Sequence, residues 1–162
     1  MHTPVNHPLR PFYRTLVALT GLYLVVFGVV GLVTTGDEKG IGRSDARVLG
    51  QGANLTLAVI FLVLGVVVLA GVLVGRNLDV LLNNYLGWSL IGIGTLSMLV
   101  SHTDANVLNF TIITCIVAYA VGLMLVTAGL YGKVGPVRPA SVPPAEGGAV
   151  QAVDREAERA SV

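Results

Sequence analysis

Four stretches of the chain run without Asp, Glu, Lys or Arg for long enough to cross a hydrocarbon core: Thr15 to Thr34, Ala53 to Val74, Val80 to Val100 and Val107 to Tyr131. A membrane-spanning helix needs about 20 apolar residues, because the core is about 30 Å thick and a helix rises about 1.5 Å per residue. The runs do not alternate as barrel strands do, and backbone groups in lipid must find partners within their own segment. The pattern therefore predicts an all-α integral membrane four-helix bundle. The domain division is a cytoplasmic N-terminal segment at 1–14, a transmembrane domain at 15–132 and a tail at 133–162.

The connections between these runs are about 18, 5 and 6 residues long. Short connections force helices 2, 3 and 4 into an up-down succession of antiparallel neighbours. The first has room for structure of its own. It mixes Asp37, Glu38, Lys39, Arg43, Asp45 and Arg47 with five glycines, which reads as a mobile or reentrant surface loop. The tail after Gly135 holds Pro136, Pro139, Pro143 and Pro144 before an acid-base mixture, and reads as disordered.

Basic residues set the orientation. Arg10, Arg14, Arg76, Lys133, Arg138, Arg155 and Arg159 fall on one side, and Lys39, Arg43 and Arg47 on the other. Seven against three predicts both termini in the cytoplasm, in a bacterial cytoplasmic membrane crossed several times. Aromatic residues at the same side, among them Phe12, Tyr13, Tyr85, Trp88 and Tyr131, fit the headgroup belt that fixes a bundle's depth. The first run lacks charges from Thr15 to Thr35 and no A-x-A cleavage site follows, so it reads as a retained helix rather than a signal peptide.

Composition agrees and narrows the function. Hydrophobic residues make up 54% and charged residues 12%, about half the charge usual in a soluble domain. A net charge of +1 gives no basic field for a phosphate backbone, so nucleic acid is excluded as a partner. Cys115 is the one cysteine, which excludes an intrachain disulfide and a CxxC pair, and it reads as a small buried hydrophobe. No phosphate-binding glycine loop, HExxH, G-x-S-x-G or pair of inward carboxylates is present, and the four runs hold no ionisable group for proton coupling. The expectation is a protein that is not an enzyme and has no cofactor.

Small residues at four-residue spacing let helices approach where hydrophobicity gives no association. Gly71 with Gly75, and Thr114, Ala118 and Gly122, have this spacing; Gly21 and Gly28 share a face of helix 1. They point to packing within the bundle, with a homodimer seam as the alternative.

Polar residues gather at the predicted outer boundary: Asn54 and Thr56 entering helix 2, and His102, Asp104, Asn106 and Asn109 around the third connection. Polar groups at membrane depth are costly unless paired. One reading is structural, with an Asn54 to Asn109 hydrogen bond between helices 2 and 4 and Asp104 as the N-cap of helix 4. The other is a shallow binding site for a small ligand or a lipid headgroup; His102 with Asp104 as a metal site is a weak signal, and no metal is assigned. Asn54-Leu55-Thr56 and Asn109-Phe110-Thr111 match the glycosylation pattern but abut helices, where an acceptor could hardly be reached.

The layout from Tyr13 to Gly132 resembles an uncharacterised family of small four-helix membrane proteins widespread in actinobacteria. The likeness rests on Gly21, Gly28 and Gly31 in helix 1, a polar loop, Asn54 opening helix 2, and Asp104 to Leu108 opening helix 4. Where the family pattern has two histidines this chain has Leu57 and Asn109, and the resemblance implies no activity. Two functions stay open: an accessory or scaffold subunit packing small-residue faces against a membrane-protein partner or a second copy, and an independent binder of a small molecule or lipid using the outer polar cluster. Membrane lipids are partners in both.

Overall fold

A computed structural model describes residues 6–37 and 40–135. It is helical, with α1 Arg10–Thr35, α2 Leu55–Val74, α3 Leu78–Val100 and α4 Ile112–Tyr131. Strands β1 Arg47–Val48 and β2 Gln51–Gly52 form an antiparallel hairpin in the first connection. Three helices, α1, α2 and α4, are long and apolar enough to cross a membrane. The third, α3, is as long, but Asp79, Asn83 and Asn84 lie in its first two turns and dilute its apolar character.

The helix starts follow local chemistry. Pro11 sits in the first turn of α1, where its missing N–H costs nothing. Asn54 caps α2, its side chain accepting from the Leu57 N–H at 2.9 Å. Thr111 and Thr114 form a reciprocal capping box at the start of α4. Gly75 ends α2 with φ of +63°, and Arg76 and Asn77 follow in the left-handed region, so the turn into α3 is tight. Gly75 is thus a turn residue and not part of a packing stripe, its fixed conformation being the one glycine adopts without strain.

Packing is closest in two helix pairs, α1 with α2 and α3 with α4. A Cβ on Gly28 would lie 2.6 Å from the backbone nitrogen of Leu62, and one on Gly65 would lie 2.8 Å from the carbonyl oxygen of Gly21. In the second pair a Cβ on Gly87 would lie 2.8 Å from the Gly122 oxygen, and one on Gly122 would lie 2.9 Å from the Gly87 oxygen. Backbones meet at these points. The pairs run antiparallel, since Gly21, Gly28 and Gly31 along α1 face Leu69, Leu62 and Ala58 in turn. Gly71 sits against Leu82 of α3, and Thr114 and Ala118 are buried in α4. The small residues are consumed by packing within the chain.

Between the pairs lies a core of Val17, Leu24, Phe27, Leu57, Phe61 and Leu125, with the Phe27 and Phe61 ring centres 4.8 Å apart. The outward faces are apolar as well: Val33 is 82% and Leu73 84% exposed. Such continuous apolar surface is untenable in water and ordinary in lipid.

Several expectations need correction. α1 begins at Arg10 rather than Thr15 and α3 at Leu78 rather than Val80, so Arg10, Arg14 and Asp79 are helical residues that precede the charge-free runs. Asp79 is 4% exposed with the Arg10 guanidinium 3.9 Å away, and Arg14 donates to the Val72 carbonyl oxygen. The carboxylate tolerates burial because the Arg10 guanidinium and the Val80 N–H, which donates to it at 3.0 Å, face it. α4 begins at Ile112 rather than Val107. The residues before it fold into a polar loop whose Asn109 has φ of +55°. The first connection, expected to have room for structure of its own as a mobile or reentrant loop, holds a short hairpin whose turn is made by Leu49 and Gly50 with φ of +50° and +80°. Lys133 to Gly135, expected to belong to a disordered tail, are held by hydrogen bonds with Asn6 and Asn77; the rest of that tail lies outside the described residues.

Candidate functional site

The first and third connections meet at one end of the helices and are joined by two asparagines. Asn54 donates from Nδ2 to the carbonyl oxygens of Gly42 at 3.0 Å and Val107 at 2.8 Å. Asn109 donates from Nδ2 to those of Ser44 at 2.8 Å and Ala53 at 3.0 Å. Each reaches from its own connection into the other. The direct Asn54 to Asn109 bond expected from sequence is absent, because both amides are spent on backbone carbonyls that a loop would otherwise bury without donors. Asn106 performs a similar service inside the third connection, donating to Ser101 and Phe110 oxygens and accepting from the Phe110 N–H.

Thr56 donates to the Gly40 carbonyl oxygen, tying the first connection to α2. Gly52 packs so tightly that a Cβ there would lie 2.7 Å from the Asn109 oxygen. Asp104 is exposed and caps nothing, since Thr111 has that role. Asn54 is fully buried and Asn109 7% exposed, with their side-chain nitrogens engaged, so neither glycosylation pattern presents an accessible amide.

On this platform opens a cleft of about 530 Å³. Its lining includes the polar Arg43, Arg47 and His102 and the apolar Phe110, Ile112 and Ile113, with Asn106 and Asn109 also in the wall. Arg43 donates to the Thr103 carbonyl oxygen at 3.1 Å. Among the described residues neither arginine has a carboxylate within ion-pair distance, the single ion pair being Arg10 with Asp79. The cleft also receives the first two residues of α4, whose backbone N–H groups have no helical acceptor and carry the positive end of the helix dipole. Guanidinium groups, a helix N-terminus and an apolar wall together favour an anion attached to an apolar body.

The predicted polar cluster divides in three. His102, Asn106 and Asn109 line the cleft, while Asn54 and Thr56 are structural ties beneath it and Asp104 lies outside its wall. Sequence reasoning missed Arg43 and Arg47 as site residues; their four-residue spacing beside a Gly-rich turn was the available signal. Among the described residues no group of three or more His, Cys, Asp or Glu could hold a metal ion.

The three helices of membrane-crossing length and composition place the chain among membrane proteins. Comparison with known proteins finds no matching family model, curated protein or solved structure.

Proposed function

We propose that this chain is a non-catalytic four-helix transmembrane bundle of a bacterial cytoplasmic membrane, with both termini in the cytoplasm, that binds an anionic small molecule or lipid headgroup at its outer face. The observation that carries this reading is the cleft whose lining joins Arg43 and Arg47, without acidic partners among the described residues, to Phe110, Ile112 and Ile113. The distribution of basic residues orients the cleft outward, since Arg43 and Arg47 belong to the side with fewer of them. The α3 helix completes the bundle as a fourth span, its Asp79 and Asn83 turned inward and buried.

The accessory-subunit reading draws on free small-residue faces. Gly28, Gly65, Gly87 and Gly122 meet the chain's own helices, so those faces are not available to a partner. That removes its main support and leaves the outer cleft as the better-founded site.

The test is titration of the detergent-purified protein with dihexanoyl phosphatidate and, separately, dihexanoyl phosphatidylcholine. Two charge-assisted contacts at exposed arginines contribute about 1.4 kcal/mol together, or about tenfold in affinity. The phosphatidate should bind at least about tenfold more tightly than the zwitterion, and the double variant R43Q/R47Q should lose that difference. Equal binding of the two amphiphiles by the unaltered protein would overturn the reading.

A further inference from the structure

A second concavity, of about 210 Å³, adjoins the cationic cleft and shares Asn106 and Phe110 with its wall. Its other lining is almost wholly apolar, with Leu96, Leu99 and Val100 from the last turns of α3 and Val107 and Leu108 from the third connection. Leu99 is 74% and Val107 50% exposed. Water would leave such side chains without favourable contact, whereas a hydrocarbon chain running along α3 would cover them. The single buried hydroxyl there is Ser97, 9% exposed.

Resting on the outer-face reading above, we infer that the two concavities are one site for an anionic glycerophospholipid. The phosphate occupies the cleft between Arg43 and Arg47, and one acyl chain lies in the groove beside Leu99, Val100 and Val107. Phe110, 3% exposed and common to both walls, divides the polar part from the apolar part. Its position is fixed by Asn106, which bonds both the N–H and the carbonyl oxygen of Phe110 at 2.8 Å. A ligand in this site carries charge at one end and apolar surface along its length, which is the chemistry of a membrane lipid and not of a free phosphate. The arrangement also explains why polar loop and apolar groove sit at the same end of the helices, where headgroup and acyl region meet.

The experiment is native mass spectrometry of the full chain released from micelles holding equal amounts of dioleoyl phosphatidylglycerol and dioleoyl phosphatidylcholine. The unaltered protein should retain one phosphatidylglycerol in preference to phosphatidylcholine by about tenfold. R43Q/R47Q should lose the preference. V107W, which fills the groove from a half-exposed position, should lower phosphatidylglycerol retention by about tenfold, and L99W provides a second blocking variant should V107W unfold. If both blocking variants fold and retain the lipid as the unaltered protein does while R43Q/R47Q does not, the acyl groove is refuted and the outer anion site stands. If R43Q/R47Q retains phosphatidylglycerol with undiminished preference, both inferences fall. Adding sn-glycerol 3-phosphate separates the two sources of phosphate: displacement of the lipid by it at equal concentration would show that the headgroup alone determines binding and would also refute the groove.

Discussion

Replacing Asn109 by glycine isolates the work of its amide, because glycine adopts the left-handed φ of +55° at no steric cost while removing both hydrogen bonds to the first connection. Each of these contributes about 0.5–1.5 kcal/mol net, so N109G should lose about 1–3 kcal/mol, with up to about 1 more from the freedom of glycine in the unfolded chain. N109L removes the same bonds and adds a left-handed leucine, a further cost of about 1–2 kcal/mol. The order of stability should be wild type, N109G, then N109L. The assay is equilibrium unfolding in mixed micelles, titrated with a denaturing detergent and followed by the fluorescence of Trp88, which lies on exposed α3 far along the chain from the change. N109L equal to N109G would show that the backbone at this position is not held left-handed. Both variants within about 0.5 kcal/mol of wild type would refute the idea that the asparagine joins the two connections, since ordinary surface substitutions fall in that range.

G28A places a Cβ 2.6 Å from the Leu62 backbone and should cost about 1–3 kcal/mol in the same titration, whereas G92A, with nothing within 4 Å, should stay within about 0.5 kcal/mol. D79L leaves the Arg10 guanidinium without its carboxylate and should cost roughly 1–3 kcal/mol, while R10Q/D79L should cost less than the sum of the single changes; additivity in that cycle would show that the 3.9 Å pair contributes nothing. Expression in a glycosylating host should give no mass increase at Asn54 or Asn109, because both amides are buried; a glycan-sized shift removed by N54Q would contradict the packing of that connection. Reporters fused before Phe12 and after Lys133 should both report cytoplasm, and an outside signal from either would reverse or break the proposed orientation.

The apolar helices were legible because a charge-free run of 20 residues has few alternatives in a single chain. Boundaries failed where apolar residues serve something other than a helix. Val107, Leu108 and Phe110 extend the apolar run before α4, but Phe110 is buried under a loop shaped by Asn106 and Asn109, so hydropathy alone reads it as helix. Asp79 misleads in the opposite direction: its charge reads as the end of a loop, and it lies in the first turn of α3 beside Arg10. The hairpin at Arg47 to Gly52 is too short for any periodic signal. At the site, His102, Asn106 and Asn109 stood out as polar residues at a membrane boundary, and the cleft includes them. In the sequence Arg43 and Arg47 bear on orientation and on the mixed charge of the first connection but not on a site, since their meeting with Ile112 and Ile113 depends on how the two connections cross. Gly65 and Gly87 carry no spacing signal as isolated glycines, although each lies where the backbones of its helix pair meet.

Orientation and occupancy of the cleft meet in one measurement on H102C in intact cells, where the native Cys115 is buried and slow to react. A membrane-impermeant maleimide should label the introduced thiol from outside, because His102 is exposed at the cleft that the basic-residue distribution turns outward. In outward-labelled membrane sheets, added dihexanoyl phosphatidate should slow the labelling and dihexanoyl phosphatidylcholine should not. Labelling only after the membrane is opened, or equal slowing by the two amphiphiles, would contradict an outer-face site for an anionic amphiphile.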